Sequence, residues 1–356
     1  MSMTATIPVT VLTGFLGSGK TTVLNRLLKH PGLADTAVII NELGELGLDH
    51  LLVERTSENL TLLNNGCVCC TVRGDLVETL GELEARRRRG DISSFTRAVV
   101  ETTGLADPAP ILHTLMADPA VTCRYRLEGV ITTVDAVNGA QTLDAHAEAT
   151  KQAAVADRIL LTKGDLAGGE RLAALRRRLE TINDGTPMLE VVDGRVDPSE
   201  IFTVGFFDPA GKTADVRRWL HAEAHDHAHL AADGHHEHYH RHRSDLHDDR
   251  VRTHCFTIAD PVRWEDFSVW LELMAAMRGA NMLRVKGIVA IAEDPERPMV
   301  VHGVQHVFHP PVRLDRWPSA DRRSRLVFIT RDLPRAVIER TLQKFGGVDR
   351  ERMAAG

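Results

Sequence analysis

This chain has no excess of positive charge. Its 43 lysines and arginines face 49 aspartates and glutamates, for a formal net charge of −6, so nothing supplies the basic face that nucleic acid requires. No apolar run approaches the roughly 18 residues of a membrane-spanning helix. The opening Met1–Thr6 lacks a positive stretch and an apolar core, so no secretory signal is expected. Cysteine is scarce, with five in 356 residues and three of them packed into positions 67–70. That spacing suits a metal or redox cluster in a reducing compartment better than a disulfide framework. These absences point to the cytoplasm and away from nucleic-acid or membrane partners.

The length suggests two domains, and 43% hydrophobic residues are enough for real cores. The most informative stretch is Gly14-Phe15-Leu16-Gly17-Ser18-Gly19-Lys20-Thr21, which reads G-x-x-x-x-G-K-[ST]. A short β-branched run, Ile7–Thr13, precedes it and suits a buried parallel strand. Residues 22–29 follow at helical spacing and stop at His30-Pro31-Gly32. Strand, glycine loop and helix in that order make a phosphate cradle. Gly14, Gly17 and Gly19 let backbone N–H groups turn toward an anion, with Ser18 and Thr22 flanking, and the helix N-terminus adds its positive end. Lys20 would reach the β- and γ-phosphates, and the Thr21 hydroxyl would hold Mg²⁺.

Strand-like and helix-like segments alternate as far as a strand at Met188–Val192, which implies a parallel sheet covered on both faces. A P-loop NTPase domain over residues 1–193 is expected. A histidine-rich linker over 194–250 follows, then a small α+β domain of βαβββα order over 251–356.

Three further stretches bear on chemistry. Thr162-Lys163-Gly164-Asp165, after a late strand, fits the pattern by which many GTPases read guanine. Asp165 accepts from the ring N–H and the exocyclic amine, the stem of Lys163 covers the base, and adenine offers a mismatched edge. Glu101, at the end of strand Arg97–Val100, stands where such a domain places its magnesium-side acid, and Gly104 could approach the γ-phosphate. Asp135 is a lesser candidate for an acid. Third, Cys67, Cys69 and Cys70 leave a strand in one loop and can point at one ion. Thiolates select Zn²⁺, Co²⁺ or Cu⁺ over Mg²⁺, and Glu42 or Glu45 could complete the site or provide a second one. A redox pair with a spectator is the alternative for the thiols.

Cys123 and Cys255 stand alone and read as small buried hydrophobes, and His302, His306 and His309 read as structural. Ten of the chain's 18 histidines lie in the linker. Among them His225, His227, His229, His235, His236, His238 and His240 would make a weak reservoir for zinc, nickel, cobalt or copper.

The chain resembles the CobW family of P-loop GTPases, whose relatives include the nickel-inserting GTPases of urease and hydrogenase maturation. The match rests on GFLGSGKTT at Gly14–Thr22, NELGELGLD at Asn41–Asp49, GCVCCTVRGDL at Gly66–Leu76, ETTGLADP at Glu101–Pro108 and LTKGD at Leu161–Asp165. It departs from the family pattern at Leu43, commonly Phe, and at Thr162, which is Asn in many GTPases. The resemblance implies a metallochaperone. GTP shapes the Cys67/Cys69/Cys70 site to take up zinc, and hydrolysis releases the ion to a client metalloprotein. Cobalt for cobalamin synthesis and other metals for enzyme maturation are alternative cargoes, and a metal buffer or thiol redox sensor is the non-enzyme alternative. No arginine finger is evident, so slow hydrolysis is expected.

Overall fold

The computed structural model describes residues 6–33, 35–41, 60–63, 72–202, 250–348 and 353–354. The chain divides into two compact units. One holds the chain up to Leu179 together with a stretch from Thr186; the other holds Glu180–Gly185 and the C-terminal part.

In the first unit β1 (Ile7–Gly14), β2 (Thr36–Asn41), β3 (Leu60–Leu63), β4 (Arg97–Glu101), β5 (Tyr125–Asp135), β6 (Arg158–Thr162) and β7 (Met188–Val191) form one sheet, ordered β3-β2-β4-β1-β5-β6-β7. Every pairing is parallel. The strands read as near-continuous apolar runs because helices cover both faces. On one face α1 (Lys20–Leu28) packs Val23, Leu24 and Leu27 against Leu12, Val38, Ile131 and Leu160. The other face carries α2 (Val72–Arg89), whose Leu80 carbonyl accepts from the buried Tyr125 hydroxyl, and α6 (Ala147–Ala154), whose Gln152 carbonyl accepts from the Thr132 hydroxyl. Gly90, at φ 75°, follows the last turn of α2, where four arginines complement the negative helix end.

The helix-like sequence over 166–182 folds as two helices, α7 (Gly164–Ala167) and α8 (Gly169–Ile182), separated by Gly168 at φ 76°. Four helices have no counterpart in the sequence reading: α3 (Ala109–Ala117), α4 (Pro119–Thr122), α5 (Gly139–Ala145) and α6. They are short, from four to nine residues, which leaves little room for a 3.6-residue pattern. Within the stretch read as linker, α9 (Pro198–Phe202) places Ile201 and Phe202 in the first unit's core.

In the second unit β8 (Val251–Ile258), α10 (Trp264–Arg278), β9 (Met282–Val289), β10 (Met299–Val304), β13 (Ser324–Arg331) and α11 (Arg335–Phe345) follow the expected βαβββα order. Short strands β11 (Val307–Phe308), β12 (Val312–Arg313) and β14 (Met353–Ala354) extend an antiparallel sheet. Its core joins Phe256, Val285, Val301 and Phe328 to Phe267, Trp270, Ile338 and Leu342 on the helices. No helix among the described residues is long and apolar enough to cross a membrane.

Candidate functional site

Four strand ends meet at one edge of the first sheet, the carboxyl edge at which open α/β folds bind ligands. The loop after β1 is built on three glycines in conformations that side chains avoid: Gly14 at φ 140°, Gly17 at 71° and Gly19 at 91°. Gly14 has a second constraint, because a Cβ there would collide with the hydroxyl and carbonyl of Thr133. Gly19 is the left-handed cap from which α1 begins, so its first N–H groups turn into the loop. Lys20 is buried, and its Nζ donates to the carbonyls of Gly14 at 2.8 Å and Phe15 at 3.1 Å. Below the loop, Ser18 Oγ and Thr133 Oγ1 are hydrogen-bonded at 2.6 Å, and Thr162 Oγ1 donates to the Ser18 carbonyl at 2.7 Å.

Strand β4 pairs directly with β1, setting Glu101 opposite Leu12. From there Glu101, 4% exposed, accepts from the Thr21 hydroxyl at 3.2 Å. Thr21 and Glu101 are thus brought together as a pair of hard oxygen donors, a set that fits Mg²⁺. Gly104 lies against the loop, where a Cβ would stand 2.6 Å from the Leu16 nitrogen.

On the opposite flank Lys163 takes a left-handed backbone (φ 58°) and its Nζ donates to the Gly17 carbonyl and to Asp135 Oδ2, both at 2.8 Å. Asp135 also accepts from the Val137 and Asn138 backbone N–H groups and from Asn138 Nδ2. Burial pushes its carboxyl pKa up, but the bonds from Lys163, Asn138 and Val137 outweigh that and hold it below the usual value. Asp135 is therefore a partner of Lys163 at this edge, not a second acid beside Glu101. Asp165, in the first turn of α7, lines a cavity of about 150 Å³ with Gly19, Thr22, Lys163, Leu166, Asp193 and Gly194. The sequence reading had missed Asp193 and Gly194; their signal was a strand ending in Asp-Gly. In the structure Asp193 (φ 51°) and Gly194 (φ 71°) turn the chain back toward Thr22, and the Asp193 carbonyl accepts from Arg26 Nε at 3.1 Å.

Glu42, Glu45, Cys67, Cys69, Cys70 and the histidines from His225 to His240 lie outside the described residues. Among the described residues no group of three or more His, Cys, Asp or Glu side chains is placed to hold a metal ion. Cys123 corrects the sequence reading: it is exposed, because it caps the short surface helix α4, and its thiol donates to the Ala120 carbonyl. Cys255 is half-buried. His302 is buried in β10, and His306 Nδ1 is hydrogen-bonded to the Ala275 carbonyl at 2.8 Å.

Comparison with known proteins agrees with this architecture. The family model described as CobW/HypB/UreG, nucleotide-binding domain, matches residues 8–190, and that described as Cobalamin synthesis protein cobW C-terminal domain matches residues 251–346. The chain is 33% identical to the zinc chaperone YjiA of Escherichia coli K12, over 92% of this chain and 95% of that one. It is 30% identical to the zinc chaperone CobW of Pseudomonas aeruginosa, over 96% and 92% respectively. The crystal structure of Zn(II)-bound YjiA GTPase from E. coli matches with a TM-score of 0.70 at 28% identity, covering 96% of this chain and 99% of that one. With the phosphate loop, the T-K-x-D strand end and the appended antiparallel domain all in place, the chain belongs to the CobW/HypB/UreG family of P-loop nucleotide-binding proteins.

Proposed function

We propose that this protein is a GTP-hydrolysing metallochaperone that takes up zinc at Cys67, Cys69 and Cys70 and passes it to a client metalloprotein under the control of GTP. The observation that carries the nucleotide half is the cavity between Gly19–Thr22 and Asp165, which adjoins the glycine loop and has a carboxylate at its edge. Guanine presents a ring N–H and an exocyclic amine to Asp165. Adenine presents an acceptor there and leaves the carboxylate unpaired, at a cost of about 1–3 kcal/mol.

Backbone N–H groups of residues 17–21 surround the phosphates, and Lys20 exchanges two carbonyl partners for phosphate oxygens. Thr21, through its hydroxyl, and Glu101, through its carboxylate, would hold Mg²⁺. When bound, the ion draws off the charge that develops on the transferring phosphoryl group. Gly104, packed on the loop beside Leu16, brings its backbone toward the γ-phosphate side. Hydrolysis is expected to be slow, because among the described residues no arginine lines either cavity beside the loop.

Two observations support the metal half. The relatives of 33% and 30% identity are zinc chaperones. The strands that precede Glu42 and Cys67 are parallel neighbours, with Asn41 opposite Leu63, so the chain leaves both at the same sheet edge as the phosphate loop. Three thiolates suit zinc and leave one tetrahedral position for Glu42 or for a ligand from the client. The linker histidines hold further ions loosely.

The test is zinc affinity, by competition with a chelator, in the presence of a non-hydrolysable GTP analogue or of GDP at matched Mg²⁺. Zinc is expected to bind at least tenfold more tightly with the analogue. Equal affinity in the two states removes the coupling, and an unchanged affinity in Cys67→Ala removes the site.

A further inference from the structure

We propose that Gln152 is a positioning residue for the γ-phosphate side of the nucleotide site: it latches the segment after β4, Gly104–Asp107, onto the glycine loop. The proposal rests on the GTPase reading above and adds a residue to it.

Gln152 lies on α6 and is fully buried. Its Nε2 donates to the Gly104 carbonyl at 3.2 Å and to the Ala106 carbonyl at 3.1 Å. Its own carbonyl accepts from the Thr132 hydroxyl at 2.8 Å, which ties this turn of α6 to β5, the strand beside the glycine-loop strand. One residue therefore joins the sheet, through its backbone carbonyl, to the segment that follows Glu101, through its side-chain amide. The next residue along α6 adds a second strap, with Lys151 Nζ 2.6 Å from Asp107 Oδ2. Asp107 in turn caps α3 by accepting from the Ala109 N–H at 3.0 Å.

The latched segment sits against the loop. Gly104 is so close to Leu16 that no side chain fits between them. Loosening Gly104–Ala106 therefore frees a backbone stretch that touches the loop at Leu16 and follows the strand end carrying Glu101.

The amide is also asymmetric. With Nε2 committed to two carbonyls, Oε1 points away from them and is buried without a hydrogen-bond partner among the described residues. Burying an unsatisfied acceptor is costly. The reversed amide is worse, because it sets an oxygen against two carbonyl oxygens. The orientation is thus fixed by the segment it holds. A cavity of about 170 Å³ lined by Gln152, Phe15, Leu16 and Lys163 leaves the amide room to yield when the segment moves.

None of the hydrogen bonds from Gln152 and Lys151 falls on a residue of the base cavity or on Lys20, so the latch is expected to act more on the third phosphate than on the rest of the nucleotide. The variant Gln152→Met keeps the length and removes both donors, and Gln152→Glu places a carboxylate oxygen on the two carbonyls. Lys151→Met removes only the half-exposed strap and serves where a Gln152 variant folds poorly.

Two measurements decide the proposal. In nucleotide-free full-length protein, hydrogen exchange over residues 102–107 is expected to quicken at least fivefold in Gln152→Met and more in Gln152→Glu, and to a lesser degree in Lys151→Met. Residues 14–21 should keep their wild-type rates. Second, the ratio of GTP-analogue to GDP affinity is expected to fall tenfold in Gln152→Met, with GDP affinity within twofold of wild type. Unchanged exchange over 102–107 in all three variants overturns the latch. Equal losses for both nucleotides reduce Gln152 to a general structural residue and overturn it too. Faster exchange in the variants of a wild type that does not distinguish GTP from GDP keeps the latch and removes the GTPase reading.

Discussion

Thr162, Lys163 and Asp165 share a four-residue motif and hold three different positions. The Thr162 hydroxyl turns under the glycine loop to the Ser18 carbonyl. The Lys163 ammonium reaches over to the Gly17 carbonyl and Asp135. All three line the cavity after the glycine loop, and Asp165 is the one of them that brings a carboxylate to it. On the proposed reading two of the three residues build the wall, and Asp165 discriminates. Replacing the discriminating residue should change selectivity more than affinity for the phosphates. In Asp165→Ala the preference for GTP over ATP is expected to fall by roughly five- to 150-fold, the equivalent of about 1–3 kcal/mol for the lost pairing. Competition of the two nucleotides for a fluorescent analogue measures this, and a preference that survives the substitution would move the discriminating group elsewhere.

Among the elements, α9 shows how a segment of only five residues, Pro198–Phe202, is kept in place. Phe202 enters the core beside Ile201, and its ring carries the Arg97 guanidinium at 4.8 Å. Glu200 pairs with the buried Arg158 at 2.9 Å. Because Glu200 is more than half exposed, the ion pair adds little on its side; its value lies in giving the buried Arg158 a counter-charge. The apolar anchor should dominate. Phe202→Ala is expected to cost about 3–5 kcal/mol of stability, the range for removing a buried aromatic ring, read from the urea midpoint of the transition that GTP shifts. A loss below about 1 kcal/mol would make α9 an ornament of the first unit.

At the scale of the whole chain there are two compact units with separate cores, so calorimetry is expected to show more than one transition. Nucleotide should raise the transition of the unit that holds the glycine loop, by about 2.7 kcal/mol at a hundredfold excess over its dissociation constant. The other transition should respond to acid through His254, which is buried with Nε2 hydrogen-bonded to the Leu333 carbonyl at 3.1 Å. Burial, aided by Arg335 and Arg252, pushes its pKa below 6.5 despite the Leu333 bond. The unfolded chain therefore takes up a proton near pH 6.5 that the folded domain refuses. This contribution is constant above that pH, and stability falls as pH drops from about 6.5 toward the lower folded pKa. His254→Gln should flatten the fall between about pH 6.5 and 5. An identical pH profile in the variant would assign the acid sensitivity to other groups.

Local sequence was enough wherever the physics is local. The glycines of the 14–21 loop need left-handed or open backbone, the alternation of apolar runs sets a parallel sheet, and βαβββα order emerged from period-2 and period-3.6 patterns in residues 251–346. The family followed from the same motifs. Short helices were not legible: α6 spans eight residues, four of them alanine, and its buried positions include the polar Thr150 and Gln152, which an apolar pattern does not pick out. The break at Gly168 did have a signal, the Gly168-Gly169 pair, which reading one helix over 166–182 passed over.

Strand order was beyond the sequence altogether. Nothing local says that β4 rather than β2 lies beside β1, yet that adjacency brings Glu101 to Thr21, and the placement of β6 beside β5 brings Lys163 to Asp135 and Gly17. Gln152 belongs to the same class, since its two acceptors are 46 and 48 residues away in the chain. The sequence by itself determined which residues can bind phosphate, read a base or hold a thiophilic metal, because those capacities reside in the side chains and in short backbone turns. Only the tertiary structure decided which of them act together, because contacts between distant segments are fixed by how the whole sheet and its helices bury their apolar surface, and no short window of sequence contains that sum.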